Sequence, residues 1–224
     1  ANDSRVMERA RRFAGKVITF GIDVDADVRA SSVIHRGVEG MEALVSAAGQ
    51  EARLRTPLLG LGNLSNVLAA IAVGLHFGIP LDDMVARAAT VTPAYHRGEV
   101  LRLPGGVTLI DDSYNSSPAA LKRTLEAVGR DREHRRKVAV LGEMLELGAF
   151  ADQLHAECGR VAADQGLSAL ITVGGPAAAR MAEAHVVPAF EGPLHLVVVD
   201  DPGVLGARVD GLEAQRLTLL EDER

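Results

Sequence analysis

The run Leu109-Ile110-Asp111-Asp112-Ser113-Tyr114-Asn115-Ser116-Ser117-Pro118 passes from an apolar stretch into clustered polar side chains and then to a proline suited to the first position of a helix. An α/β sheet binds ligands where a strand ends and the next helix begins. At such a place Asp112 can accept hydrogen bonds from paired hydroxyls such as those of a ribose, and Tyr114 can offer a flat face and an OH to a nucleoside. Ser117 as a helix cap, with the acids as solvated turn residues, fits the same spacing equally well.

Three further groups carry polar chemistry. In Gly60-Leu61-Gly62-Asn63-Leu64-Ser65-Asn66 the two asparagines are three apart, so on a helix they share a face and two amides could read an adenine edge. An Asn cap with one helical Asn satisfied by backbone explains them too. In His96-Arg97-Gly98-Glu99 a guanidinium stands where it could swing onto a phosphate as two domains close, or simply pair with Glu99 on the surface. Gly142-Glu143-Met144-Leu145-Glu146-Leu147-Gly148 follows an apolar run and sets two acids on a loop. Other signals carry less. Asp23, Asp25 and Asp27 imitate a calcium loop, but Val28 and Ile34 occupy the positions that need Gly and Glu. His155 and Cys158 share a helical face without a second pair at zinc spacing, which reads as a packed Cys and a surface His.

These residues need elements to position them. Lys16 to Gly21 and Asp27 to Ala30 read as strands, a mostly apolar helix runs from Asn63 to Gly78, and a second helix spans Leu81 to Val91 with Asp82 and Asp83 in its first turn. Glu99 to Leu103 and Val107 to Ile110 form a hairpin over Pro104-Gly105-Gly106. From Val138 the pattern is βαβαβ, with strands at 138–141, 169–173 and 196–199 and helices at 151–165 and 176–184, which calls for a parallel sheet covered by helices. Residues 202–224 read as a helix or loose tail, and a domain boundary falls near Thr92 to Tyr95.

At 224 residues and 47% hydrophobic, the chain can bury the cores of two modest domains. A net charge of −6 with mixed signs gives no basic stripe, which argues against nucleic acid, and aromatic content of 3% leaves few stacking platforms. No apolar run approaches the roughly 20 residues of a membrane span, so no membrane insertion is expected. The single Cys158 allows no internal disulfide and makes the cytoplasm the expected compartment.

In this order, the segment from Gly60 to Ala70, His96-Arg97-Gly98-Glu99, Asp111-Asp112-Ser113-Tyr114-Asn115 and Gly142 to Gly148 resemble the Mur ligase family, and the last two strings are similar to its MurF type. The resemblance spans nearly all of residues 1–200. It implies an α/β protein in which residues 1–92 are the latter half of a P-loop-type ATPase domain and residues 93–224 a Rossmann-like C-terminal domain with a mainly parallel sheet. It further implies an ATP-dependent ligase, with ATP and Mg2+ as cofactors, that adds D-Ala-D-Ala to UDP-MurNAc-tripeptide during peptidoglycan precursor synthesis. The substrate carboxylate is phosphorylated first, because a carboxylate is a poor electrophile and a metal-held phosphate a good leaving group.

By the same resemblance Arg97 and Asp112 hold catalytic positions, and Asn63, Asn66 and Tyr114 meet the nucleotide. Asn115, Ser116 and Glu143 face the dipeptide, and no residue of the chain is assigned to a metal. Departures accompany the matches: Gly62 stands where the family usually has His, Ser117 where it has Asn, and neither G-x-x-x-x-G-K-S/T nor the family's late Lys-Gly-Ser-Arg occurs. The chain alone is therefore expected to be an inactive fragment of a ligase, with self-association wherever its half domain leaves apolar surface uncovered. Two alternatives are a non-catalytic module derived from a Mur ligase and another amide ligase of the superfamily, of the folylpolyglutamate or cyanophycin synthetase kind.

Overall fold

The structure, a computed structural model, describes residues 1–185 and the backbone of 196–200. After α1 (Ser4–Ala10), a first sheet is built from β1 (Phe20–Ile22), β2 (Val28–His35), β3 (Met41–Ala47) and β4 (Gln50–Thr56) in that order. β1 is parallel to β2 and the other pairs are antiparallel. Met41, Ala43, Val45 and Ala47 are buried while Glu42, Leu44 and Ser46 are less so, the period of two that a one-sided sheet demands. The β3–β4 hairpin turns on Ala48 and Gly49 at φ 50° and 76°, both left-handed as a two-residue turn of this hand requires.

Two helices, α2 (Gly60–His76) and α3 (Leu81–Ala88), cover this sheet. Leu64, Leu68 and Ile71 of α2 pack with Val28, Val45 and Leu54 in the first core. The helix expected from Asn63 begins at Gly60, so Asn63 lies inside its first turn rather than capping it. The second helix ends at Ala88, short of the expected Val91.

The second sheet has the order β5-β6-β9-β7-β8, formed by β5 (Glu99–Arg102), β6 (Thr108–Asp111), β7 (Lys137–Gly142), β8 (Ala169–Val173) and β9 (Leu196–Asp200). Only β5–β6 is antiparallel, and Gly105 supplies a φ of 79° at the tip of that hairpin. The helices α4 (Pro118–Arg130), α5 (Ala151–Asp164) and α6 (Pro176–Glu183) complete the α/β layers expected from the alternation of elements. Ser117 caps α4, its Oγ accepting from Ala120 N at 3.4 Å, with Pro118 at the first helical position. Ile110, Leu121, Leu125, Leu141 and Met181 form the centre of the second core. The segment 202–224 lies outside the described residues. Among those described, no helix is long and apolar enough to cross a membrane.

The two cores interlock. Val38, from the short turn before β3, is buried in the second core, and Leu59 packs against it. Arg102 bonds Glu39 at 2.6 Å, and Arg130 lies 3.3 Å from His35 Nε2. At Gly62 a Cβ would lie 3.3 Å from the Arg123 side chain, so the start of α2 sits close on α4.

Candidate functional site

The candidate site is assembled at one end of the β5–β6 hairpin. The turn before β5 places His96 at φ 56° and Gly98 at φ 68°, and it is tied to the segment after β6 by Tyr114 N donating to the His96 carbonyl at 3.0 Å. This crossing of two chain segments brings Arg97 over the Tyr114 ring, 4.1 Å from its centroid. Arg97 is exposed and Tyr114 is 61% exposed, so the pair faces solvent.

Asp112 lies beside them. Its Oδ2 accepts the Thr124 hydroxyl at 2.8 Å, which links the strand end to the body of α4. Burial pushes the Asp112 carboxyl above its ordinary range, and Asp111 reinforces that rise. The Thr124 hydroxyl, the Gly98 N–H and the nearby Arg97 charge oppose it. The result is a carboxyl that is half withdrawn from water, close to an exposed cation and an exposed ring. Such a trio can grip a planar, polyhydroxylated, anionic molecule.

The remaining sequence-derived residues lie elsewhere or are committed otherwise. Asn63 donates to the Leu59 carbonyl at 2.9 Å, and Asn66 approaches Asn63 Oδ1 at 3.5 Å. These amides bond within their own segment rather than across to Arg97 and Asp112. Asn115 is exposed and Ser116 half-buried, both next to Tyr114 in the chain. Glu143 follows β7, and its Oε2 accepts the Gly175 N–H at the start of α6. A Cβ on Gly174, at φ 136°, would come within 2.7 Å of the Glu143 Cβ, which explains the glycine there.

His155, read as a surface residue, is fully buried: Nε2 accepts Met144 N–H at 2.9 Å and Nδ1 donates to the Ala151 carbonyl at 2.8 Å. It pins the loop after β7 to α5, because a side chain that pairs both ring nitrogens can be buried without loss. Cys158 is likewise buried.

Sequence reasoning missed the pairing of His96 Nδ1 with Asp111 Oδ2. Asp111 is buried, its Oδ1 accepting Ser113 N–H at 3.1 Å and Ser113 Oγ at 2.8 Å. The signal was present: adjacent strand residues point to opposite faces, so of Asp111 and Asp112 one had to turn inward.

Residues 1–74 match the family described as Mur ligase middle domain, and residues 96–219 match Mur ligase, glutamate ligase domain. The UDP-N-acetylmuramoyl-tripeptide–D-alanyl-D-alanine ligase of Mycobacterium tuberculosis (strain ATCC 25618 / H37Rv) is 32% identical over 179 residues, 78% of this chain and 35% of that protein. The ligase of the same name from Bacillus subtilis (strain 168) is 34% identical over 118 residues, 53% of this chain and 26% of its own length. The crystal structure of MurF ligase from Thermotoga maritima in complex with ADP superposes with a TM-score of 0.73 at 22% identity, covering 89% of this chain and 48% of that one. The chain thus spans a minority of the length of the proteins it matches. With both of its α/β lobes matched, the chain belongs to the Mur ligase family.

Proposed function

We propose that this chain supplies the nucleotide-closing lobe and part of the ATPase lobe of a MurF-type ligase, which adds D-Ala-D-Ala to UDP-MurNAc-tripeptide in peptidoglycan precursor synthesis. The observation that carries this reading is the convergence of Arg97, Asp112 and Tyr114 from two separate segments onto one solvent-facing edge. Support also comes from relatives named for that reaction. In this reading residues 1–92 belong to the ATPase domain and 93–224 to the C-terminal domain.

ATP supplies the phosphoryl group that turns the substrate carboxylate into an electrophile. The residues present fit its nucleoside end. Arg97, exposed on Tyr114, is free to turn toward a phosphate, and Asp112 keeps a carboxyl near where ribose hydroxyls would lie. Asn63 and Asn66 would meet the base from α2, with Tyr114 flanking it. Asn115, Ser116 and Glu143 would line the dipeptide side, Glu143 chiefly by bracing the Gly174–Gly175 turn. The phosphate end does not fit these residues alone, since no G-x-x-x-x-G-K-S/T backbone cradle occurs among the 224 residues. Mg2+ belongs to the complete catalytic unit, and no residue of this chain is assigned to hold it. The cytoplasm, and self-association through apolar surface left uncovered on the first lobe, belong to the same proposal.

Calorimetric titration of ADP into the chain tests the reading: weak, saturable binding is expected, lost in Arg97→Ala. Undiminished binding in that variant, or none in the wild type, rejects the assigned edge. In a complete ligase that joins this chain to a phosphate-binding P-loop, turnover should require D-Ala-D-Ala, and turnover with glutamate instead would favour a folylpolyglutamate-type enzyme.

A further inference from the structure

The antiparallel register of β5 and β6 sets Glu99 directly opposite Asp111. Like charges in facing positions of a hairpin repel, and the repulsion grows as burial removes water. Here one of the two carboxylates is almost wholly buried, with the Asp111 side chain 3% exposed. The Glu99 carboxylate makes no hydrogen bond or ion pair among the described residues, so a single imidazole, His96, stands against two carboxylates. One nitrogen and two carboxylate oxygens of His96, Glu99 and Asp111 lie within 4.8 Å of one another.

The supporting structure is arranged as around a metal ligand. Asp111 Oδ1 is held by the N–H and hydroxyl of Ser113, which orients the carboxylate and leaves Oδ2 facing the imidazole. His96 adopts a φ of 56°, a conformation that a β-carbon disfavours, and its ring meets Asp111 at the end of β6. The His96 side chain is 26% exposed, which leaves an entry path on the solvent side.

A second cluster, Asp131, Glu133 and His134, differs in one respect. Both nitrogens of His134 are already engaged there, by Asp131 at 2.8 Å and Thr108 at 3.0 Å.

We propose that His96, Glu99 and Asp111 form a binding site for a divalent first-row transition metal, with Zn2+ the best match to one imidazole and two carboxylates. The site is separate from any magnesium that accompanies ATP and does not depend on the nucleotide reading. Bound metal offsets the Glu99–Asp111 repulsion and staples the turn carrying Arg97 to the end of β6.

Zn2+ alone, titrated calorimetrically into the purified chain in a buffer that does not chelate it, is expected to fill one saturable site. Glu99→Gln, which is only partly buried, and His96→Asn, which suits the left-handed backbone, keep the fold by circular dichroism and each weaken binding by about tenfold or more. Ser113→Ala weakens it by about tenfold through the orientation of Asp111. Asp131→Asn with His134→Asn leaves it unchanged. Absence of saturable binding to the folded wild type overturns the proposal. So does binding that survives in both Glu99→Gln and His96→Asn, or that disappears with Asp131→Asn and His134→Asn.

Discussion

Two loops leave the strands of the same sheet and have opposite characters. After β7, the polar groups are consumed internally: His155 binds Met144 N–H and the Ala151 carbonyl, and Glu143 binds Gly175 N–H. After β6, Tyr114 leans in solvent on Arg97 from the turn before β5, and Asp112 is tied to the fold chiefly through Thr124. Both strings contain acids after an apolar strand, and composition does not separate them. A side chain whose bonding capacity is spent on its own fold holds a loop still, whereas one left facing water remains available for a ligand.

The difference can be broken by mutation. His155→Ala should cost the most, about 3 kcal/mol in chemical denaturation, because it leaves the Met144 N–H unpaired and opens a cavity where the fully buried ring stood. Gly174→Ala should cost about 1–3 kcal/mol, since its φ of 136° and the Glu143 Cβ both oppose a side chain. A neutral result there would show that the Glu143 loop is as yielding as the Arg97 edge.

Asp112→Asn sharpens the contrast through pH. Because the folded carboxyl binds its proton more tightly than the unfolded one, Asp112 costs stability as pH rises from its ordinary 3.8 through the higher folded value. Asn has no such titration. The stability of the variant relative to wild type should therefore climb across that window and then level off, as read from unfolding curves at several pH values. A flat difference would mean that Asp112 is not desolvated. Arg97→Ala should have the smallest effect on folding, within about 0.5 kcal/mol, while abolishing the binding of ADP. A loss of stability comparable to that of His155→Ala would make Arg97 a structural residue and end the comparison.

Much of the second lobe was legible because each of its signals is local. Pro104-Gly105-Gly106 announces the hairpin, Ser117-Pro118 the start of α4, and the alternation from Val138 onward the parallel sheet. The β3–β4 hairpin was not legible. Its turn uses Ala48 in a left-handed conformation normally signalled by Asn or Asp, and the conformation is imposed by the pairing of Ala47 with Gln50 rather than by residue type. The early start of α2 escaped notice for a related reason. Gly60 and Gly62 read as loop, yet they are glycines where the helix approaches α4 closely. Arg97, Asp112 and Tyr114 could be picked out by residue type and family likeness, but their convergence depends on two segments crossing.

The sequence by itself determined the class of fold, the order of its strands and helices from β5 onward, and the family, because periodicity, turn residues and motif order are properties of short stretches of chain. Tertiary structure alone decided that Asp111 rather than Asp112 is the buried acid of that pair, that His155 is a brace rather than a surface residue, and that Glu99 faces Asp111 across a hairpin. Those outcomes depend on which distant groups compete for the same hydrogen bonds and the same volume, and that competition arises only once the layers have packed.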